Sequence, residues 1–380
     1  MKPNTLPLAA TLASLLFPAT TTAAACNPPA APTVSLHAGT VTGAVHNDVE
    51  YFRGIPYAQP PIGALRLKPP VPLTKFPSGG SILATGVGPA CPQNPSIELT
   101  PLLAEVFSNP DVASTLNAGA ALGGETEDCL AISVMRPKGT ERGAKLPVLY
   151  WIHGGGFLVG SAQPYNGSVL LPRSVQQGTP VVLVAVNYRL GAFGFLGGRQ
   201  VLEEGVANLG LLDQRLGLEW VADNIEAFGG DPEAVTIWGE SAGAISVFDQ
   251  LALFDGDNTY KGRPLFRGAI MNSGSISPTE PVDGVTAQKH FDAVVEAAGC
   301  ASAADSAKVE CLREVDYETF VNASNSLPGF LGYQSVALSY SPRPDGRILT
   351  ASPEVLARER KYAAVPIIIG NQENEVRKPP

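Results

Sequence analysis

Short apolar runs separated by longer stretches of mixed polarity dominate the hydrophobic pattern of this chain. Residues 33 to 57 alternate apolar and polar positions, with turn residues at Gly39, Gly43 and Asn47, and predict a lead-in of antiparallel hairpins. Later runs are apolar at every position, as in strands buried on both faces of a sheet. Five such strands are predicted: Val148–Ile152, Val181–Val186, Ala234–Trp238, Gly268–Met271 and Val365–Ile369.

The segments between these predicted strands have apolar residues at helical spacing. The clearest case is Leu211–Phe228, and its recurring apolar positions are Leu216, Leu218, Trp220, Val221 and Ile225. Strands that alternate with helices predict an α/β fold with a mostly parallel central sheet. The sequence has no internal repeat and no linker that would divide it, so residues 26–380 are predicted to form one domain.

The N-terminus has the pattern of a secretory signal peptide. Lys2 is the positive residue, residues 6–17 are the apolar segment, and Ala23, Ala24 and Ala25 form a small-residue cleavage site. The apolar segment is too short to span a membrane. We therefore expect residues 1–25 to be removed and the protein to be secreted, with a mature chain that begins near Cys26. A lipid anchor on Cys26 is the alternative.

Composition narrows the classes of partner. The chain has 380 residues, of which 44% are hydrophobic and 16% charged, so it can bury a large core. Its net charge of −9 argues against nucleic acid and against an anionic membrane surface as partners. A small-molecule or lipid substrate remains.

Five cysteines leave one without a partner if the others form disulfides, which secretion permits. Cys300 and Cys311 enclose a short loop and Cys91 and Cys129 a longer one. The spacing favours these two pairs and leaves Cys26 as the odd thiol. Two sequons, at Asn166 and Asn322, would be glycosylated only in a eukaryotic secretory host.

The segment between Cys91 and Cys129 contains a short predicted helix with one apolar side. That side is formed by Leu99, Leu102, Leu103, Val106 and Phe107. One interpretation is a surface helix docked on the core. The other is a lid that covers an active site until a lipid surface or a large acyl chain displaces it, which makes these residues a transient lipid contact.

Candidate chemistry begins with Gly239-Glu240-Ser241-Ala242-Gly243, directly after the apolar run that ends at Trp238. A serine between small residues, at a turn from strand to helix, is typical of the nucleophile elbow of an α/β-hydrolase. Such a serine needs donors for the oxyanion that forms when it attacks a carbonyl group.

Those donors are predicted in His153-Gly154-Gly155-Gly156-Phe157, which follows the strand that ends at Ile152. The backbone amides of Gly155 and Gly156, with that of Ala242, would form the oxyanion hole. A phosphate-binding loop is the alternative, but no Lys-Ser/Thr pair follows the glycines.

Together with further motifs, these residues resemble the type B carboxylesterases and lipases, a family that includes cholinesterases and fungal lipases. The resemblance extends over nearly all of the mature chain. It implies an α/β-hydrolase fold, ester hydrolysis through a serine acyl-enzyme, and no metal or organic cofactor. The usual disulfides of the family resemble the two pairs above. The further motifs are Phe52–Tyr57, Glu127–Leu130, Asn187–Arg189, Asn208–Gln214, Phe228–Pro232 and Asn272–Gly274.

The family implies a glutamate as the acid of its catalytic triad, in a stretch after a late strand. Gly370-Asn371-Gln372-Glu373-Asn374-Glu375 resembles that stretch and places the acid at Glu375, with Glu373 as the second choice. Glu240 and Ser273 are expected to support the site, and Asp213 and Arg189 to hold buried polar networks.

The base is the departure from the family pattern. A triad of this order requires a histidine after the acid, and none of the four histidines follows Glu375. His153 is expected to orient the oxyanion loop, and His37, His46 and His290 to have surface or core roles.

The family pattern continues well beyond the acid, whereas this sequence ends with Val376–Pro380. We therefore expect an α/β-hydrolase domain that lacks the C-terminal part of the family's fold. The predicted function is a secreted carboxylic ester hydrolase, an esterase or lipase. The alternative is a catalytically inactive truncated protein, or an esterase-like binding or adhesion protein.

Overall fold

A computed structural model describes residues 31–77, 79–94, 124–329 and 338–373 of the chain. All of them belong to one compact unit, Ala31–Pro380. Several predicted features lie outside the described residues: the signal peptide at 1–25, Cys26, the helix from Leu99 to Phe107, and Glu375. Within the described ranges no helix is long and apolar enough to cross a bilayer.

Thirteen strands are described, and eight of them form one large sheet. They are β1 (Thr33–Leu36), β2 (Gly39–Thr42), β3 (Ala44–His46), β4 (Val49–Pro56), β5 (Ser81–Leu83), β6 (Ala131–Pro137), β7 (Leu146–Ile152), β8 (Val182–Val186), β9 (Gly230–Glu240), β10 (Thr259–Tyr260), β11 (Arg263–Pro264), β12 (Gly268–Asn272) and β13 (Ile367–Gly370).

The large sheet has the order β13-β12-β9-β7-β8-β6-β4-β3. The strands from β13 to β8 are parallel to one another, and β6, β4 and β3 continue the sheet with antiparallel pairing. The prediction of a mostly parallel central sheet is therefore confirmed, as is the antiparallel lead-in, where β1 pairs with β2 and β3 with β4.

Nine α-helices are described alongside the strands. They are α1 (Leu170–Gln176), α2 (Gly191–Phe195), α3 (Arg199–Glu204), α4 (Leu209–Asn224), α5 (Ala242–Ala252), α6 (Val285–Ala297), α7 (Lys308–Glu314), α8 (Tyr317–Ser324) and α9 (Pro353–Glu359). Short 3₁₀ turns occupy Gly63–Leu65, Ile225–Phe228, Leu253–Gly256 and Asp305–Ala307.

The sheet has a hydrophobic core on each face. Strand β7 shows the alternation: Val148, Tyr150 and Ile152 point into the larger cluster, and Trp151 points into the smaller one. Successive side chains of a strand point to opposite faces, and here both faces are covered, so every second residue need not be polar. This explains the unbroken apolar runs in the sequence.

Helix α4 is buried on nearly all sides, and the predicted apolar positions Leu216, Leu218, Trp220 and Val221 on it, with Ile225 just after it, lie in the core. It ends at Asn224, and the 3₁₀ turn that follows completes the predicted helical stretch to Phe228. The helix also carries the buried Asp213, whose carboxylate accepts hydrogen bonds from the Arg189 side chain at 2.7 and 2.8 Å and from the Arg189 amide at 3.0 Å. This pair is the structural polar network expected for the two residues.

One expectation about burial is wrong. The last predicted strand is not buried on both faces, because β13 is an edge strand that pairs only with β12 among the described strands. Its Ile368 side chain is 65% exposed, and its neighbours Ile367 and Ile369 are exposed as well. An apolar run shows that a strand can be buried, but whether anything covers it depends on the elements packed beside it.

Both disulfides favoured by the spacing are present, Cys91–Cys129 and Cys300–Cys311. Glu127, two residues before Cys129, forms a buried ion pair with Arg66. Glu127 accepts hydrogen bonds from Arg66 at 2.6 and 2.8 Å, and Arg66 also donates to the backbone carbonyls of Leu312, Arg313 and Val315, around the end of α7. The motif around Glu127 thus fastens α7 to the rest of the fold.

Candidate active site

Ser241 occupies a sharp turn between the end of β9 at Glu240 and the start of α5 at Ala242. Its backbone has φ 54° and ψ −123°, outside the regions that residues with a side chain normally adopt. The turn is held at both ends, since the Ser241 amide donates to the Asn272 carbonyl at 2.9 Å and its carbonyl accepts from Ile245 at 3.0 Å. Strain of this kind in a non-glycine residue is concentrated at functional sites.

The two glycines of the elbow are required by close packing. A Cβ atom at Gly243 would collide with the Ile152 carbonyl oxygen, and one at Gly239 would collide with the Gly243 carbonyl oxygen. Both obstacles are backbone atoms, which cannot rotate away as a side chain could. The glycines therefore let α5 begin directly against the end of β7.

The glycine loop after β7 lies beside the elbow, as the sequence predicted. A Cβ atom added to Gly154 would lie 2.6 Å from a carboxylate oxygen of Glu240 and 3.1 Å from the Ser241 Cβ atom. Beyond it, Gly155 and Gly156 have φ of 108° and 63°. This left-handed geometry favours glycine and turns successive amides to one side of the chain.

Three backbone amides near Ser241 are available as donors. Among the hydrogen bonds of the described residues, none is donated by the amides of Gly155, Gly156 or Ala242. Ala242 is also the first residue of α5, where the helix dipole places partial positive charge. The arrangement suits a negative oxygen close to Ser241.

His153 is buried beneath this loop. Its ring stacks on that of Tyr188, with centroids 4.4 Å apart, and its Nδ1 lies 2.9 Å from the Gly154 carbonyl oxygen. Burial lowers the pKa of His153 to about 4, against a weaker opposing effect of that hydrogen bond. The ring is therefore neutral near pH 7 and holds the loop, the role that the sequence suggested.

The other histidines have surroundings unrelated to Ser241. His37 is exposed in the turn between β1 and β2, and His46 is exposed at the end of β3. His290 is half-buried on α6, where Nδ1 lies 2.9 Å from the Ser339 carbonyl oxygen. All four histidines are described, and no hydrogen bond joins any of them to Ser241.

The predicted acid stretch begins at the correct edge of the sheet. Strand β13 runs parallel to β12, and the Ser273 amide donates to the Gly370 carbonyl at 2.8 Å, so Gly370 lies at the same sheet edge as the elbow. Glu373 is exposed three residues later. Glu375 lies outside the described residues, and its position stays a prediction.

Glu240, the residue before the serine, lies close to the glycine loop, with a carboxylate oxygen beside Gly154. It helps to raise the pKa of Tyr165 to about 12, after the larger effect of burial. Tyr165 packs against Trp151, which packs edge to face against Trp238. The supporting role of Glu240 stays a prediction.

Asp249, two turns into α5, was not among the site residues predicted from the sequence. Its side chain is buried, and neither carboxyl oxygen has a hydrogen-bond partner among the described residues. Burial alone raises its pKa to about 8. Helix α5 also carries Ser246 and Gln250, so one more polar residue on it gives no distinct signal in the sequence.

Metal ligation is not a feature of the described part of the chain. No group of three or more histidine, cysteine, aspartate or glutamate side chains in it is arranged to hold an ion. The chemistry available from the described residues is a strained serine beside backbone amides that can donate hydrogen bonds to a negative oxygen.

Known protein families provide an independent comparison. A family model described as "Carboxylesterase family" matches residues 30–378. Secreted lipase 1 of Botryotinia fuckeliana is 54% identical over 355 residues, which cover 91% of this chain and 60% of that protein. A secreted triacylglycerol lipase of Gibberella zeae is 52% identical over 349 residues, covering 90% of this chain and 57% of that protein.

Solved structures show the same likeness. The crystal structure of Aspergillus niger EstA superposes with a TM-score of 0.72 at 33% identity, over 89% of this chain and 59% of that one. A p-nitrobenzyl ("PNB") esterase superposes with a TM-score of 0.71 at 32% identity, over 91% of this chain and 65% of that one. The chain therefore spans about three fifths of the length of the lipases that it matches.

Proposed function

The chain belongs to the carboxylesterase family, with an α/β-hydrolase fold, and from this premise we propose that it is a secreted carboxylic ester hydrolase with Ser241 as its nucleophile. The observation that carries the proposal is the strained backbone of Ser241 between β9 and α5, beside the glycine loop. Sequence identity above one half to two proteins named as secreted lipases supports acyl esters as the substrate class.

The proposed reaction has two steps. The Ser241 hydroxyl attacks the ester carbonyl carbon while a base removes its proton, and the carbonyl oxygen becomes an oxyanion bound by the amides of Gly155, Gly156 and Ala242. The intermediate collapses to an acyl-serine as the base returns the proton to the departing alcohol. Water then attacks the acyl-serine by the same route, which releases the acid and restores the serine.

Glu375 is the proposed acid, which orients the base and stabilises it when it is protonated. No histidine among the 380 residues fits the place of the base, and His153 is excluded by its burial and lowered pKa. The proposal therefore takes the base from a histidine absent from this sequence. Without such a histidine, turnover should be slower by a factor of about 10⁴ to 10⁶, since only binding and the oxyanion hole remain.

Secretion is supported by the names of the two relatives and by the two disulfides, which form in oxidising compartments. We propose residues 1–25 as the signal peptide and 26–380 as the enzyme domain, from the sequence pattern at the N-terminus. We also propose that the segment Leu99–Phe107 contacts lipid, because the sequence predicts a helix there with one apolar side.

Hydrolysis of p-nitrophenyl butyrate and p-nitrophenyl decanoate tests the function. The assay uses the purified 380-residue chain and any longer product of the same transcript, each with Ser241→Ala. A matched control is Ser302→Ala, because Ser302 is an exposed serine on a turn outside the site. In a longer product that contains the histidine we expect turnover that is lost in Ser241→Ala and kept in Ser302→Ala, and in the 380-residue chain we expect turnover lower by a factor of about 10⁴ to 10⁶. A longer product that contains a histidine after Glu375 and still shows no serine-dependent turnover would instead favour a binding protein.

The acid is tested in the same assay by two neighbouring glutamates. In a longer product that contains the histidine, Glu375→Gln should lower kcat by about 10⁴-fold, as expected for loss of the carboxylate that orients the base. Glu373→Gln should change kcat little. The reverse result would transfer the role to Glu373 and leave the rest of the mechanism unchanged.

A further inference from the structure

A cavity of about 330 Å³ lies beside the elbow helix α5. Two of its lining residues connect it to the candidate active site. Phe157 directly follows Gly156 of the glycine loop, and Ile245 lies one helical turn after Ser241, to which its amide is hydrogen-bonded. Through these two residues the cavity reaches the first turn of α5 and the end of the glycine loop.

The lining of this cavity is more polar than a site for a plain hydrocarbon requires. Apolar contacts come from Phe157, Ile245, Pro278, Leu338 and Pro342. The remaining lining residues carry hydroxyl, carboxyl or guanidinium groups: Asp249, Ser277, Thr279, Glu280, Thr286, Ser341 and Arg343. A ligand that matches both sets has an apolar chain and a polar substituent.

Most charge in the lining is already neutralised. Arg343 donates to Glu280 at 3.1 Å, and Glu280 also accepts from the amides of Ala287 at 2.9 Å and Thr286 at 3.4 Å. Asp249 differs, since it is 1% exposed and both of its oxygens lack a partner among the described residues. A buried polar group without a partner is unfavourable, so this carboxyl favours a ligand that supplies one.

Charge selects the kind of substituent. A ligand carboxylate or phosphate would meet the Glu280 carboxyl group, and a ligand cation would meet the Arg343 guanidinium. A neutral group avoids both conflicts. Burial keeps Asp249 protonated at neutral pH, so that it can donate one hydrogen bond and accept another, which is the complement of a hydroxyl group.

We propose that this cavity is an acyl-chain subsite that selects chains bearing a hydroxyl group, with the Asp249 carboxyl as the hydrogen-bond partner of that hydroxyl. The proposal rests on the proposed ester hydrolase function and names its substrate class. Asp249 is the eighth residue after Ser241, which corresponds to roughly 12 Å along the helix axis. The hydroxyl is therefore expected near the end of a medium-length acyl chain.

Direct binding tests this without turnover. The probes are the methyl ketone analogue of methyl decanoate and its ω-hydroxy derivative, measured by isothermal titration calorimetry. All variants carry Ser241→Ala, so that no covalent adduct forms with the ketone. We expect the hydroxylated ketone to bind about tenfold more tightly, which corresponds to about 1.4 kcal/mol.

Substitutions then assign the preference to one residue. Asp249→Leu should abolish it, whereas Asp249→Asn should keep most of it, since an amide also donates and accepts. Thr286→Val is the matched control at another polar position of the lining and should leave the preference unchanged. Circular dichroism and thermal melts establish that each variant is folded.

Three results would overturn the inference: equal affinity for the two ketones, no binding of either, or a preference that survives in folded Asp249→Leu. If Asp249→Leu does not fold, the Asp249→Asn and Thr286→Val variants decide alone, and loss of the preference in Thr286→Val counts against Asp249. None of these results bears on serine-dependent ester hydrolysis, which the turnover assay tests separately.

Discussion

Replacing Ser241 by glycine should make the protein more stable while removing its nucleophile. The serine is held at φ 54° and ψ −123°, where a side chain is unfavourable and glycine is not. Residues in such conformations cost about 1 to 3 kcal/mol each, and the surrounding structure must impose them. Here it does so through the backbone hydrogen bonds to Asn272 and from Ile245.

The net effect is the difference of two terms. Glycine releases the strain but loses about 0.5 to 1 kcal/mol more backbone entropy on folding than alanine does. We therefore expect Ser241→Gly to exceed Ser241→Ala in stability by about 0.5 to 2 kcal/mol. No side-chain hydrogen bond of Ser241 is present among the described residues, so removal of the hydroxyl itself should matter little.

Paired thermal melts of the two variants at one scan rate measure this difference. With an unfolding entropy of about 2.1 cal/mol/K per residue, a protein of this size gains roughly 1 to 2 °C in Tm per kcal/mol. Ser241→Ala is the matched control, because it also lacks the hydroxyl and keeps the unfavourable conformation. If Ser241→Gly melts no higher than Ser241→Ala, then the elbow is not strained and the argument from its geometry to a nucleophile is wrong.

Three further predictions concern packing, charge and pH. Gly243→Ala should destabilise the fold by about 1 to 3 kcal/mol or more in urea unfolding, because its Cβ atom would collide with the Ile152 carbonyl oxygen. Gly86→Ala is the control, at a glycine with open space around it, and should change stability little. Equal losses of stability in the two variants would contradict the packing argument. Asp213→Asn should cost about 3 to 5 kcal/mol by leaving Arg189 buried without its charge partner, whereas Arg199→Gln, in exposed ion pairs, should cost far less. A small loss of stability for Asp213→Asn would refute the importance of the buried pair. The pKa of Asp249 is raised on folding to about 8, so the folded state holds a proton that the unfolded state releases near pH 4, and its contribution to stability falls as pH rises from about 4 to 8. The stability of Asp249→Asn relative to the unsubstituted protein should therefore increase over that range, with no difference between the two near pH 4. A difference that stays constant from pH 4 to 8 would exclude titration of Asp249.

Local patterns in the sequence predicted much of the fold. The apolar runs predicted β7, β8, β9 and β12 closely, because a strand covered on both faces leaves a continuous signal in the sequence. The same signal failed for β13, since its exposure depends on what lies beside it and not on its own residues. The glycines of the elbow and of the loop after β7 were found by their spacing, and close approach of backbone atoms explains why glycine stands there.

Asp249 could not be found in this way. One aspartate on α5 has the same appearance in the sequence whether it is exposed, paired or buried alone, and only the positions of the neighbouring elements decide which. The neutrality of His153 has the same origin, because its low pKa comes from complete burial under the loop. Burial is a property of the assembled fold, and residues whose chemistry depends on it escape reasoning from local patterns.

The disulfide between Cys91 and Cys129 affects how the antiparallel half of the sheet is assembled during synthesis. Strands β4 and β6 pair directly, yet the chain leaves the sheet after Pro56 and returns only at Ala131. The bond closes 38 residues of that excursion and lies immediately before β6. Loop-closure entropy rises with the length of chain between partners, and distant pairing slows folding. Oxidation before β4 and β6 meet therefore shortens the search. Expression in a reducing cytosol should delay this pairing and leave the β4 edge open to aggregation, whereas export to an oxidising compartment should raise the yield of folded protein.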